Sequence, residues 1–235
     1  MNMPHRLPMV ASSLFLLTSI AFGQQAYVGR YDVYTGFMYL KSSLINLNEP
    51  GFHTQIGMNP TRWYAVGFDF STGSGDTALV PSMLKSSLQQ QIAAQLDPLK
   101  KAGYLPANYV LSVPVHSTTQ SYAMGPQLTF RHFAAFTIFA RPDLGAIHES
   151  VTPHATDTIG KALVAQLAPS GVTEDWTYFY GFAGGVDLNV TRNLALRMQV
   201  DFVRDHLFNN ILAARNTVRF SVGPSFHFGS NVPQR

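Results

Sequence analysis

The feature that most restricts this chain is a two-residue alternation. Trp176, Tyr178, Tyr180, Phe182, Val186, Leu188 and Val190 alternate with Thr177, Phe179, Gly181, Ala183, Gly185, Asp187 and Asn189. Leu194, Leu196, Met198, Val200 and Phe202 alternate with Ala195, Arg197, Gln199 and Asp201. The pattern returns from Val218 to Phe228 and from Tyr64 to Phe70. Successive side chains of a strand point to opposite faces. Each stretch is therefore a strand with one aromatic-rich face and one face of Gly, Ala, Ser and charges. The lengths match the roughly 9–11 residues of a tilted transmembrane strand.

Two folds accept such strands. A soluble β-sandwich buries the apolar face and wets the other. A barrel in lipid exposes the apolar face and packs the small and charged one inside. Gly and Ala on the second face suit a narrow interior, and aromatics near strand ends suit interfacial girdles. A barrel is the expected fold, with the sandwich as the alternative. Asn59-Pro60-Thr61 and Thr191-Arg192-Asn193 are short polar breaks expected to form tight turns. Residues 73–117 and 151–175 are long by comparison, the short-and-long pattern of outer-membrane barrels. Eight antiparallel strands are expected, at 31–41, 51–58, 62–71, 118–130, 134–148, 176–190, 194–205 and 215–228. The first two alternate imperfectly. Closure of an even number leaves no unpaired edge in lipid, and eight strands leave room only for side chains inside.

Composition narrows the partners. The charged fraction is 12% and the hydrophobic fraction 46%, which excludes a disordered chain. There is no cysteine, which excludes a disulfide scaffold and a cysteine zinc site. No basic run accompanies the net charge of +3, which argues against nucleic acid. Residues 1–23 read as a secretory signal peptide. Arg6 supplies the positive start, Val10 to Ile20 the apolar core and Ala21-Phe22-Gly23 the small-x-small site, with cleavage expected before Gln24. That apolar core is too short for a membrane-spanning helix, and no later apolar stretch reaches the length of one. The barrel is expected over 24–230, with helical loop insertions at about 74–117 and 151–175, and 231–235 as a polar tail.

The stretch Phe182-Ala183-Gly184-Gly185-Val186-Asp187 is followed by Leu194-Ala195-Leu196-Arg197-Met198-Gln199-Val200-Asp201-Phe202. Then come Asn216-Thr217-Val218-Arg219-Phe220-Ser221-Val222-Gly223 and a final Phe226-His227-Phe228-Gly229. This series resembles the OmpA-like outer-membrane β-barrel domain, in the stand-alone form common in acidobacteria. Arg62-Trp63 followed by Phe68-Asp69-Phe70-Ser71 and Gly73 fits the second hairpin of that group. The match runs over residues 31–72 and 118–230. It implies an eight-stranded up-and-down transmembrane barrel that is not an enzyme and is inserted by the barrel-insertion machinery. Three departures stand out. The loop 73–117 is longer than in the group, and no peptidoglycan-binding domain is expected after Phe228, so wall anchoring is not implied. The terminal aromatic strand that the insertion machinery reads is followed here by a polar tail, Gly229 to Arg235.

The face predicted to line the lumen holds Asp69, Arg141, Asp143, Asp187, Arg197, Asp201 and Arg219. Isolated charges in a narrow interior are costly, so mutual pairing is expected, as a structural core or as a gated ion path. Leu84, Leu88, Ile92, Leu96 and Leu99 recur at helical spacing within Pro81 to Gly103, where Pro98 is a candidate kink or stop and Gly103 a candidate cap. Ile159, Leu163, Val164 and Leu167 mark a second helix within Asp157 to Leu167. His148-Glu149-Ser150 is similar to the His and Ser of lipid A deacylase barrels, with Asp157 or Glu174 as a candidate third group. His53, His116, His132, His154, His206 and His227 have no metal-ligand spacing, and no cofactor motif is present. The expected role is structural or interactive at the cell surface. The partners would be outer-membrane lipid, lipopolysaccharide, and a surface ligand or neighbouring protein at the long loops. A low-conductance channel and a lipid A hydrolase are the alternatives.

Overall fold

A computed structural model describes residues 25–212 and 215–233; the signal-peptide reading of residues 1–23 lies outside them. Eight strands run in chain order around one closed sheet. They are β1 (Gly29–Ser42), β2 (Leu47–Met58), β3 (Tyr64–Leu79), β4 (Val113–Phe130), β5 (Phe136–Pro153), β6 (Thr173–Asn189), β7 (Leu194–Asp205) and β8 (Arg215–Asn231). Every neighbouring pair is antiparallel, and β1 closes on β8 from Tyr31 opposite Phe228 to Ser42 opposite Thr217. Closure gives all the strand backbones a partner. The two strands with the poorest alternation pair fully, from Tyr31 opposite Met58 to Ser42 opposite Leu47.

The alternation resolves as a barrel and not as a sandwich. Apolar side chains point outward: Leu144 is 65% exposed, Met124 64% and Tyr178 66%. A continuous belt of that kind is far larger than a soluble monomer leaves in water. Small residues point inward because the interior is crowded. A Cβ on Gly145 would stand 2.1 Å from the Tyr122 carbonyl oxygen and 2.7 Å from the Phe179 ring. Glycine there leaves the lumen to Phe179, which is 2% exposed.

One seam of the wall is irregular. The β4–β5 ladder pairs Met124 with Leu144 and resumes with Leu128 opposite Ala140. Between them lie Pro126 and Pro142, neither of which has an N–H to donate. The wall also extends further outward than the aromatic pattern suggests. β3 and β4 reach Leu79 and Val113, and β5 and β6 reach Pro153 and Thr173. The two-residue alternation persists there, but outward positions turn polar, as at Ser74, Asp76, His116 and Ser150. The long loops are therefore shorter than expected, and both begin above the apolar belt. The β1–β2 connection on the same side is a tight turn, with Asn46 at φ 49°. Asparagine tolerates that left-handed conformation.

Two helices cap this end: α1 (Ser86–Lys101) and α2 (Thr158–Leu167). Ile92 and Leu96 of the expected stripe are buried on Leu111, Val113 and Val115. Pro98 lies inside α1 without ending it. The stop is Gly103 at φ 77°, whose N–H donates to Lys100 while that of Tyr104 donates to Leu99. These two bonds make a left-handed glycine cap.

Replacing Gly145 with valine forces its side chain into a neighbouring backbone. We expect destabilisation of about 1–3 kcal/mol, the usual range for overpacking. Urea unfolding of the lipid-reconstituted barrel, read by its mobility shift on unboiled gels, checks this.

Candidate functional site: lumen and outer vestibule

The lumen is built by parity. On β5, residues 137 to 151 with odd numbers point inward, so Arg141 and Asp143 do; on β7 and β8 the same parity brings in Arg197, Asp201 and Arg219. All seven predicted lumen residues are at most 2% exposed. Five of them meet around Asp69. Its Oδ2 lies 2.6 Å from Arg141 Nη2 and 2.6 Å from His53 Nε2, and its Oδ1 is 3.3 Å from Arg219 Nη2. Arg219 donates to Asp201 through Nε and Nη2, each at 3.1 Å, and through Nη1 to Ser71 at 2.7 Å and Ser121 at 3.0 Å. Arg141 Nε lies 2.5 Å from Asp143 Oδ1. The other two form a separate pair nearer the short turns. Arg197 grips Asp187 with two bonds of 2.7 and 2.9 Å, donates to Gln55 at 2.8 Å and lies 4.7 Å over the Phe139 ring.

Buried charges are tolerated only when paired and hydrogen-bonded, and arginine's planar fork serves several carboxylates at once. The result is a lumen filled by interlocked side chains.

A third charged group, above these two, was missed by the sequence reading. Arg215 Nε donates to Asp205 at 2.9 Å and Nη2 donates to Glu149, while the Ser117 hydroxyl donates to Glu149 at 2.9 Å. Glu49 is fully buried beside them, with no cation bonded to it among the described residues and the hydroxyls of Thr119 and Ser117 near its carboxylate. Parity carried outward would have found them: Asp205 follows Asp201 by four, Arg215 precedes Arg219 by four, and Glu149 follows Asp143 by six.

Above Glu149 the inward residues become apolar. A cavity of about 120 Å³ opens there, walled by Leu79, Val113, Val115 and Val151 and closed from above by Leu163 and Leu212. Two ties hold the roof. Lys85, just before α1, donates its N–H to Ile211 at 2.9 Å. Asp157 caps α2 by accepting from the Gly160 N–H at 2.8 Å, and the Tyr109 hydroxyl of the other loop donates to its second oxygen. The Tyr109 bond, with the Gly160 N–H, holds the Asp157 carboxyl below its ordinary range. Burial and the Asp157 bond push Tyr109 up to about 12. A depressed carboxyl stabilises the fold above its unfolded pKa, and that contribution is lost as pH falls through the folded one. The roof tie is thus fully made at neutral pH and loosens in acid.

The histidine and serine of residues 148–150 share the outer face of β5. His148 stacks on Trp176 with ring centroids 4.5 Å apart, and its Nε2 is 3.8 Å from Glu174. No hydrogen bond joins His148 to Ser150 among the described residues, and Asp157 is occupied as a helix cap. His53 and His227 are buried in the lumen, His116 pairs with Asp76, and His206 packs on Tyr178. No group of His, Asp and Glu among the described residues has the arrangement of a metal site.

No protein-family model matches the chain, and no curated protein matches its sequence. Solved structures do. Neisserial surface protein A is similar over 84% of this chain and 96% of its own, at 12% identity and a TM-score of 0.52. The fold is that of the small outer-membrane β-barrels. The outer membrane protein OprG of Pseudomonas aeruginosa covers 88% of this chain and 99% of its own, at 10% identity and TM-score 0.47. The attachment invasion locus protein Ail of Yersinia pestis covers 86% and 99%, at 8% and 0.47.

In this barrel, Arg219→Ala strands Asp69 and Asp201. We expect a loss of about 3–5 kcal/mol, the usual result of breaking a buried ion pair, in equilibrium urea unfolding. Asp157→Ala removes a helix cap worth about 0.5–2 kcal/mol. Limited proteolysis at neutral pH should then cut within 102–112 or 154–172 faster than in the parent, with the strands still protected.

Proposed function

We propose that the chain is an outer-membrane barrel with a sealed lumen, not an enzyme, which serves a structural or surface-interaction role through its roofed outer end. One observation carries this reading: the arginine and aspartate side chains that fill the barrel's interior at mid-height. Ion pairs joined across a lumen of eight strands leave no continuous water path. The apolar belt supports a position in lipid, and the strands that rise beyond it support a roof standing clear of the membrane surface. Outer-membrane lipid and lipopolysaccharide are the partners of the belt, and the barrel-insertion machinery is the partner of assembly. A surface ligand or a neighbouring protein is the partner of the roof. The residue resemblance to stand-alone acidobacterial barrels belongs to the same reading.

Two measurements test it. In planar bilayers the purified protein should leave the current at baseline at both polarities; resolved unit currents would instead make it a low-conductance channel. On intact cells, added protease should cut the roof loops of the Asp157→Ala variant. Protection of those loops until the envelope is opened would place the roof on the wrong side.

A further inference from the structure

The apolar vestibule sits on a floor with an excess of carboxylate. Arg215 is the one guanidinium of that floor among the described residues, and it is already bonded to Glu149 and Asp205. Glu49 is a third carboxylate in the same group, close enough to Glu149 for the two to repel. The next cation inward, Arg219, is committed to Asp69 and Asp201. Ser117 and Glu149 line the cavity directly. Glu49 lies beside them: Gly75, paired with Ser117, would put a Cβ 3.3 Å from the Glu49 Cγ. A buried carboxylate without a bonded cation is among the costliest groups in a folded protein. Here it stands beneath an apolar cavity whose low dielectric strengthens any charge placed at its base.

We propose that the vestibule binds a small amphiphilic cation, with its apolar body in the cavity and its ammonium end directed to the Glu49–Glu149 floor. Size fits the body. A cavity of about 150 Å³ lined by apolar side chains accepts a benzene ring, and this one, at about 120 Å³, is somewhat smaller but not fully enclosed. Charge fits the head. An ammonium at the base of the cavity meets the Glu149 carboxylate that lines it and offsets the negative charge that Glu49 adds behind it, whereas an anion meets that charge as repulsion and a neutral ligand offsets nothing. The inference rests on the surface reading only for access from outside, because binding itself is measured on purified protein.

The test uses benzylammonium, benzyl alcohol and benzoate, which share one apolar body and differ in head charge. Each is titrated at pH 8 into the full barrel in lipid nanodiscs, with empty nanodiscs subtracted. Benzylammonium should bind about tenfold more tightly than benzyl alcohol, as one desolvated charge-assisted bond requires, and benzoate should not bind. Leu163→Trp fills the cavity from the roof and should abolish binding of all three. Glu49→Gln should bring benzylammonium down to the affinity of the alcohol, without touching the bonds to Arg215. Equal affinity for amine and alcohol overturns the proposal, and so does binding indifferent to both substitutions or no binding by a folded barrel. A barrel that conducts yet binds the amine sinks the sealed-lumen reading alone; a sealed barrel that ignores the amine sinks this inference alone.

Discussion

Arg219 reaches inward from β8 and joins Asp201 on β7, Asp69 on β3, and the hydroxyls of Ser71 and Ser121 on β3 and β4. Asp69 passes the connection to Arg141 on β5 and to His53 on β2. Six of eight strands are thereby linked through the middle as well as around the wall. This pairing is the condition under which the rest can exist. A closed eight-stranded sheet has an interior too narrow for bulk water, so any charge inside must find its partners among side chains. The serines and glycines around the network follow from the same limit. They leave the volume that guanidinium groups occupy, as Gly145 leaves room for Phe179.

Most of this was legible in the sequence because a barrel writes its two faces in alternate residues. Phe202 beside Asp201 and Phe220 beside Arg219 state both the lipid side and the lumen side in two letters. The pairing of particular charges was not legible, because it depends on register across the lumen. Asp187 faces Arg197 through adjacent strands, yet Asp69 finds Arg141 two strands away. Glu149, Asp205 and Arg215 escaped notice for a different reason. Asp205 and Arg215 are the end residues of the strands expected at 194–205 and 215–228, and Glu149 lies one residue past the strand expected at 134–148, where the outward face turns from aromatic to polar. Asp157 is a third kind of miss. Its sequence position suits a helix cap, but its bond to Tyr109 joins two loops 48 residues apart, and nothing local announces such a contact.

The change of lining within one barrel explains why the outer loops are helical. Below Ser117 the lumen is filled by charged side chains that pair with one another, with Phe139, Ile147 and Phe179 packed among them. Above it Val113, Val115, Val151 and Leu79 point inward, on a part of the wall that stands beyond the apolar belt. Left open, that funnel would hold apolar surface against water at both its mouth and its walls, at about 25 cal/mol for each Å². Two amphipathic helices are the cheapest cover for it, since each satisfies its own backbone and offers a single apolar stripe. Ile92 and Leu96 from α1, with Ile159 and Leu163 from α2, supply those stripes. The roof is thus a consequence of the vestibule, held by those apolar stripes and by the ties at Lys85 and Asp157.

That arrangement also bears on where activity can reside. The central network, linked from β2 to β8, cannot open by moving one side chain, because Arg219 alone has four partners and releasing it uncovers two carboxylates. The roof has the apolar cluster around Ile92 and Leu96 beneath it, but its polar ties are one backbone bond at Lys85 and one capped carboxylate at Asp157, and among the described residues it contains no ion-pair network. Segments with few buried contacts open at far lower free energy than cores do. On the reading proposed above, motion belongs to the outer end, over the apolar chamber, and not to the charged network beneath it.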